Sequence, residues 1–273
     1  LEVSDISNIV IFTPTYNRAH TLTRCYESIV NQNYKNLTWI VIDDGSTDNT
    51  RDLIDNFICQ DQIKIVYHYQ KNAGKQGAWN KAVSLSQEYD AFLCLDSDDI
   101  LLENCISHVS SYFSLLNESD VIGLRCLAIR QSTNRPDSLY NLKRVEKKSW
   151  YDELSSRQLG ERADIFDPKK LINYLYPVDE TIKFVPEIWF YAASAPLYKY
   201  IYIPVPLTKF YDKHCHLRLS KVSFSQHIHG HKKAREIILR TVPLKVLYKN
   251  PVFYLKNLIR YLQCLYYISI RNK

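Results

Sequence analysis

Residues 37–48 read LTWIVIDDGSTD, and residues 91–99 read AFLCLDSDD. Each is a short apolar run that stops at clustered acids. A continuous apolar run of this length between turn signals is the pattern of a strand buried on both faces. Residues 8–13 (NIVIFT) and 63–67 (IKIVY) repeat it, and Pro14 is expected to stop the first of them. Between the runs, apolar residues fall at helical spacing. Leu22, Tyr26, Ile29 and Val30 do so within 19–31, a second helix is expected through Phe57 with Ser46 or Thr47 as its cap, and a third over 74–86. Strand alternating with helix at this spacing predicts a mostly parallel sheet flanked by helices. Right-handed crossovers then bring the strand C-termini to one edge, where ligands bind in such sheets.

Past residue 118 the alternation fades. Val121 to Arg130 reads as one or two strands, and 131–160 as a polar, irregular loop over the site. Short helices are expected over 168–174 and 187–198. Residues 200–211 are strand-like but broken by Pro204 and Pro206, and 232–270 are mostly helical with interruptions at Pro243 and Pro251. The resulting division is a catalytic domain over 1–212, with a donor half (1–118) and an acceptor half (119–212), and a basic, helical C-terminal extension over 213–273.

Composition narrows the classes. With 273 residues, 46% hydrophobic and 23% charged, the chain suits a globular domain rather than disorder or coiled coil. Its seven cysteines form no CxxC pair, which argues against a zinc ribbon and for a reducing, cytoplasmic setting. The residues at its start lack a basic-then-apolar secretory pattern, and no long uncharged apolar stretch predicts a membrane span. The net charge of +6 is uneven: residues 232–273 hold ten Lys or Arg against Glu236 alone, or +9, which leaves −3 for the remainder. The basic character therefore belongs to the tail, which argues against a nucleic-acid surface and for a tail with its own partner.

The acid clusters, Asp43 with Asp44 and Asp96-Ser97-Asp98-Asp99, would share one sheet edge. Like charges gathered there repel unless a cation or donors compensate, and a carboxylate pair one residue apart suits a hard divalent cation that also holds a diphosphate. The ordered strings Pro14-Thr15-Tyr16-Asn17-Arg18, Val41-Ile42-Asp43-Asp44-Gly45-Ser46-Thr47-Asp48, Asn72-Ala73-Gly74-Lys75 and Leu95-Asp96-Ser97-Asp98-Asp99 resemble a family 2 glycosyltransferase of the GT-A (Rossmann-like) fold. The match is strong over residues 8–105, weaker to 211, and absent from the last sixty or so residues.

The resemblance implies a nucleotide-sugar donor, usually a UDP-sugar, with Mn2+ or Mg2+. By the same resemblance Thr13, Pro14 and Tyr16 would line the nucleoside pocket, with Arg18 beside them, and Asp43 would accept from the uracil N–H. Asp98 is the favoured metal ligand, Asp96 sits nearer the ribose or sugar, and Asp99 is a close second. Ser97 lies between them, and Gly74, Lys75 and Gly77 lie where a loop approaches the donor. Lys183-Phe184-Val185-Pro186-Glu187-Ile188-Trp189 resembles the family's acidic motif beneath the acceptor. It makes Glu187 the expected base for an inverting transfer, Trp189 an acceptor platform, and Asp179 and Glu180 the rivals. The apolar neighbours of Glu187 in sequence would raise its pKa. His214 or His216, after the last expected strand, could complete a metal shell.

Lys245 to Arg271 alternates basic and apolar residues, a pattern for an anionic membrane surface or for packing on its own domain or a second subunit. The expected function is transfer of a sugar to a saccharide or lipid-linked saccharide in surface polysaccharide assembly, either free in the cytoplasm or at the inner face of the membrane. The alternatives are a non-catalytic nucleotide-sugar-binding scaffold subunit and a sugar nucleotidyltransferase. The latter usually carries a Gly-rich basic loop where this chain reads Pro14-Thr15-Tyr16-Asn17-Arg18.

Overall fold

The computed structural model describes residues 8–140, 143–212 and 224–271. The first part of the chain runs β1 (Ile9–Thr15), α1 (Ala19–Val30), β2 (Leu37–Asp43), α2 (Thr50–Gln60), β3 (Lys64–Tyr69), α3 (Lys75–Leu85), β4 (Ala91–Cys94), β5 (Ile100–Leu101) and α4 (Cys105–Ser110). There follow β6 (Val121–Arg130), β7 (Arg135–Pro136), β8 (Glu146–Lys148), α5 (Trp150–Ser156), β9 (Arg162–Phe166), α6 (Pro168–Leu171), α7 (Ile188–Ser194) and β10 (Lys199–Phe210). The chain ends in α8 (Ile228–Thr241), α9 (Leu244–Lys249) and α10 (Pro251–Arg271).

The strands form one mixed sheet in the order β3-β2-β1-β4-β9-β6-β10-β5, with β7 on β6 and β8 on β10. β3, β2, β1 and β4 are parallel, so their C-termini share an edge as expected. The β1 side chains alternate between two cores. Ile9 and Ile11 join α1 and α2 on one face, and Val10 and Phe12 join α3 on the other. Pro14 does not end β1. β4 accompanies β1 only as far as Phe12, so Pro14 lies beyond the two-sided part of the ladder and its missing N–H leaves no gap there.

The later half departs further from the sequence reading. β9 runs antiparallel between β4 and β6, pairing Phe92 with Phe166 and Leu124 with Ile165. Its sequence, RADIF, carries Arg162 and Asp164 at strand positions, which masks the apolar pattern. Both charges are buried in ion pairs, so the strand survives them. Within the span expected to be an irregular loop, α5 forms because Ser149 and Asp152 cap it reciprocally: Ser149 Oγ accepts from the Tyr151 N–H and Asp152 from the Ser149 N–H. Val121 to Arg130 is one strand. β10 runs through Pro204 and Pro206 because register shifts against β6 around Pro206 absorb them. Neither Ser46 nor Thr47 caps α2. The carboxylate of Asp48 accepts from the Thr50 N–H and hydroxyl instead.

A division by charge is not a division by packing. Ala234 and Ile238 of α8, with Val242, Val246 and Leu247, belong to the same core as Trp79, Phe166 and Phe190. Gly230 lies so close to the 184–185 backbone that a Cβ there would stand 1.7 Å from the Phe184 carbonyl oxygen. Among the described residues, no helix is long and apolar enough to cross a membrane.

Candidate active site

Three strand ends and one helix start build the site. β2 ends at Asp43, which is buried; Oδ1 accepts from the Ser46 N–H at 2.8 Å and Oδ2 from the Tyr67 hydroxyl at 2.7 Å. Each oxygen keeps a lone pair for a further donor. Asp44, also buried, has a different task. Its carboxylate accepts from Gln70 Nε2 and from the Ala73 and Gly74 N–H groups at 2.7–2.8 Å, so it clamps the loop that leads into α3. The DDGS string thus divides into Asp43 at the mouth and a loop anchor. Asn17, held at φ 52°, latches the 14–18 loop to the next one: its Oδ1 accepts from the Thr47 N–H at 2.8 Å, and its own N–H donates to Ser46 Oγ at 2.9 Å.

The residues carried over for the nucleoside pocket split in the same way. Tyr16 is half exposed on this loop. Thr13 turns its side chain into the core, where the hydroxyl accepts from Trp39 Nε1 at 2.9 Å, so only its backbone remains for a ligand. Gly74, at φ 84°, closes on protein: a Cβ there would meet the Lys183 carbonyl oxygen at 1.9 Å. Its backbone approach is to the 183–187 segment. Gly77 lies within α3, against Ala73.

After β4, a turn closed by the Asp99 N–H to the Asp96 carbonyl gathers the second cluster. Carboxylate oxygens of Asp96, Asp98 and Asp99 lie within 4.8 Å of one another. Ser97 is buried between them. Asp96 Oδ1 is buried without a hydrogen-bond partner. Desolvation, then the Asp96 and Asp98 charges, push the Asp99 pKa up to about 8, against the pull of the Tyr211 N–H at 3.1 Å. An orphaned buried oxygen amid crowded like charges is what a hard cation relieves, and the all-oxygen donor set suits Mg2+ or Mn2+. Arg24 braces the turn by donating to the Asp98 carbonyl while its guanidinium stacks 3.6 Å over the Tyr211 ring. His214 and His216 lie outside the described residues.

Lys75 joins the two halves. Its ammonium donates to Asp96 Oδ2 at 2.9 Å and to Glu187 Oε1 at 3.0 Å. Desolvation opposes its charge, but Asp96 and then Glu187 outweigh it and hold the Lys75 pKa well above the ordinary lysine value. Glu187 immediately precedes α7, and its side chain is 53% exposed. Its apolar sequence neighbours therefore do not enclose the carboxylate: Val185 goes into the core while Glu187 opens onto the crevice beside a lysine. Trp189 leans on the Tyr176 ring at 5.7 Å, on the side of the second core. Asp179 is committed to a turn: hydrogen bonds from the Thr181 hydroxyl and from the Thr181 and Ile182 N–H groups lower its pKa. Glu180 is exposed.

Two groups here were missed from sequence. Glu161, at the foot of β9, opens to solvent yet sits in the field of the site. Desolvation and then the Glu187 charge push its pKa up to about 7. Behind α7, the buried Arg125 lies 3.4 Å from Glu153 and 3.5 Å from Asp164, and Asp164 accepts from the Tyr191 hydroxyl at 2.8 Å. This network holds the helix that follows Glu187. Arg125 and Asp164 stand among apolar residues in sequence, and charge inside a strand pattern was their only signal.

The mixed sheet of a GT-A-like fold thus carries a carboxylate cluster at its parallel edge, with an acid opposite, immediately before a helix. The sequence model of glycosyl transferase family 2 matches residues 10–168, and the chain belongs to that family. It is 35% identical over 122 residues to the glycosyltransferase GlyG of Streptococcus pneumoniae, covering 44% of this chain and 39% of that protein. It is 33% identical over 129 residues to the Escherichia coli enzyme WfgD, a UDP-Glc:alpha-D-GlcNAc-diphosphoundecaprenol beta-1,3-glucosyltransferase, covering 42% of this chain and 49% of that one. The chain thus spans less than half of either relative.

Among solved structures, Staphylococcus aureus TarS 1–349 in complex with UDP-GlcNAc superposes with a TM-score of 0.69 at 16% identity, covering 94% of this chain and 72% of that one. The mannosyltransferase PcManGT of Pyrobaculum calidifontis, in complex with GDP-Man and Mn2+, gives 0.61 at 15% identity, covering 98% and 75%. At these identities the likeness is one of fold.

Proposed function

We propose that this chain transfers a sugar from a UDP-sugar, with inversion, to a saccharide acceptor carried on a lipid, in the assembly of a surface polysaccharide. The observation that supports the reading is the Lys75 bridge, which ties Asp96 of the carboxylate cluster and Glu187 before α7 into one ion-paired group. The relative WfgD, a glucosyltransferase that uses UDP-glucose and a diphosphoundecaprenol-linked acceptor, supports the substrate class.

Asp43 holds the uracil edge with its remaining acceptor capacity, and Tyr16 lies beside the base. Asp98, Asp96 and Asp99 would hold Mn2+ or Mg2+, whose charge neutralises a diphosphate when bound. Glu187 takes the proton of the acceptor hydroxyl as its oxygen attacks the anomeric carbon. The bond from that carbon to the donor diphosphate breaks, and the electron pair leaves with UDP. Lys75 holds the Glu187 carboxylate at the crevice through their ion pair. Its second carboxylate partner lets it shift toward the diphosphate as negative charge develops there.

A donor screen tests this. UDP-, GDP- and dTDP-sugars are supplied with Mn2+ and a lipid-linked acceptor, and nucleoside diphosphate release is scored. Release from a UDP-sugar is expected. Thermal stabilisation by UDP and Mn2+ with no release from any donor would favour a binding subunit instead.

A further inference from the structure

We infer that α10 is a docking face for an anionic lipid bilayer. One side of the helix is occupied: Asn257 and Cys264 are buried, and the Tyr261 hydroxyl donates to Glu236 of α8 at 3.3 Å. Half a turn away, Val252, Leu255, Ile259, Leu262 and Tyr266 recur at intervals of three and four residues, each more than half exposed. Residues three and four apart share a face, so these side chains form one stripe pointing away from the body of the protein. The helix has 21 residues, about 30 Å at the usual rise, and the stripe runs along it from Val252 to Tyr266. α9 adds Leu244 and Tyr248, 81% and 87% exposed.

Charge decides what covers the stripe. Lys256 flanks it, Arg260 lies further round the helix with its guanidinium 4.9 Å over the Phe224 ring, and Lys245 and Lys249 stand on α9. No Asp or Glu occurs anywhere after Glu236. A second copy of this chain pairing along the stripe would bring like charges together with no acid on these helices to compensate. A bilayer bearing anionic headgroups meets both properties at once: apolar side chains enter the acyl boundary while Lys and Arg stay among the phosphates. The helix is not apolar enough to cross, so it would lie on the surface, with tyrosines at headgroup depth. The inference rests on α9 and α10 alone and does not depend on the donor or the acceptor.

The test uses the full chain and vesicles of phosphatidylglycerol mixed with phosphatidylcholine, or of phosphatidylcholine alone, in a sedimentation assay. At low salt, partition onto the anionic vesicles should exceed that onto neutral ones by about tenfold or more, and should fall as salt is raised. Leu255→Glu with Ile259→Glu should remove about tenfold, and Lys256→Glu about fivefold. These side chains are exposed, so the thermal shift with UDP and Mn2+ should be unchanged and reports that each variant folds. Equal binding to both vesicle types, or to neither, overturns the inference. So does a dimer, seen by light scattering, that Leu255→Glu with Ile259→Glu dissociates while vesicles are ignored.

Discussion

The donor edge and the acceptor side of the crevice are built by opposite means. At the proposed donor edge, the acids follow strands directly and take their first partners close along the chain or on the neighbouring strand, Asp43 with Ser46 and Tyr67 and Asp99 with Asp96, while Arg24 and Tyr211 add braces to the second turn. On the acceptor side, Glu187 is positioned by contacts from far away. Lys75 reaches it from α3, Asp164 of β9 holds Tyr191, and α8 passes directly behind Phe184. The first arrangement tolerates change elsewhere in the molecule. The second couples the proposed base to the later half of the chain.

The largest effect should come from the donor edge itself. Asp98→Asn removes a charged oxygen from the cluster and should lower transfer by about a thousandfold or more while weakening UDP binding in Mn2+. Steady-state kinetics and UDP titration check it, and normal activity in chelator would break the metal assignment.

Next comes the coupling of the far side. Gly230→Ala places a methyl group where the Phe184 carbonyl stands and nothing there is a flexible side-chain end. It should destabilise the fold by about 1–3 kcal/mol. Because Phe184 leads to Glu187, activity should fall more than UDP affinity does. Denaturant unfolding and a comparison of kcat with UDP Kd measure both. Equal losses in the two would mean that the halves are not separable.

The smallest effect is electrostatic. The Asp99 pKa is raised to about 8, above its unfolded value, so the folded state binds the extra proton. The stability slope with pH is then negative: without a cation, stability attributable to protonated Asp99 is present at low pH and is lost as pH rises toward 8. Asp99→Asn should therefore flatten the fall of the melting temperature between pH 5.5 and 8 in chelator. With Mn2+ present the wild type should be the more stable of the two. An unchanged slope would remove Asp99 from the cluster's electrostatics.

The same contrast explains what could be read before the fold was known. Asp43, Asp96, Asp98 and Glu187 were legible because strand-end acids and ordered motifs are local signals. β9 was not, since Arg162 and Asp164 look like surface residues until Glu153 and Arg125 arrive from α5 and β6 to pair with them. Nor was the environment of Glu187: apolar neighbours in sequence suggested enclosure, but Lys75 meets the carboxylate across the crevice, and no spacing rule connects positions so far apart. The basic tail was set apart by its charge, yet Gly230, Ala234 and Ile238 place α8 inside the core, because small and apolar residues on one face of a basic helix pack as well as any others.

One measurement tests the separation of donor binding from base chemistry most directly: kcat and UDP Kd determined together for Glu187→Gln. The amide keeps the size and much of the hydrogen bonding but cannot take a proton near neutral pH. The account predicts a fall in kcat of roughly 10²- to 10⁴-fold with the UDP Kd nearly unchanged. Retained turnover would contradict it by passing the base role to another carboxylate, with Glu161 and Glu180 next to be mutated.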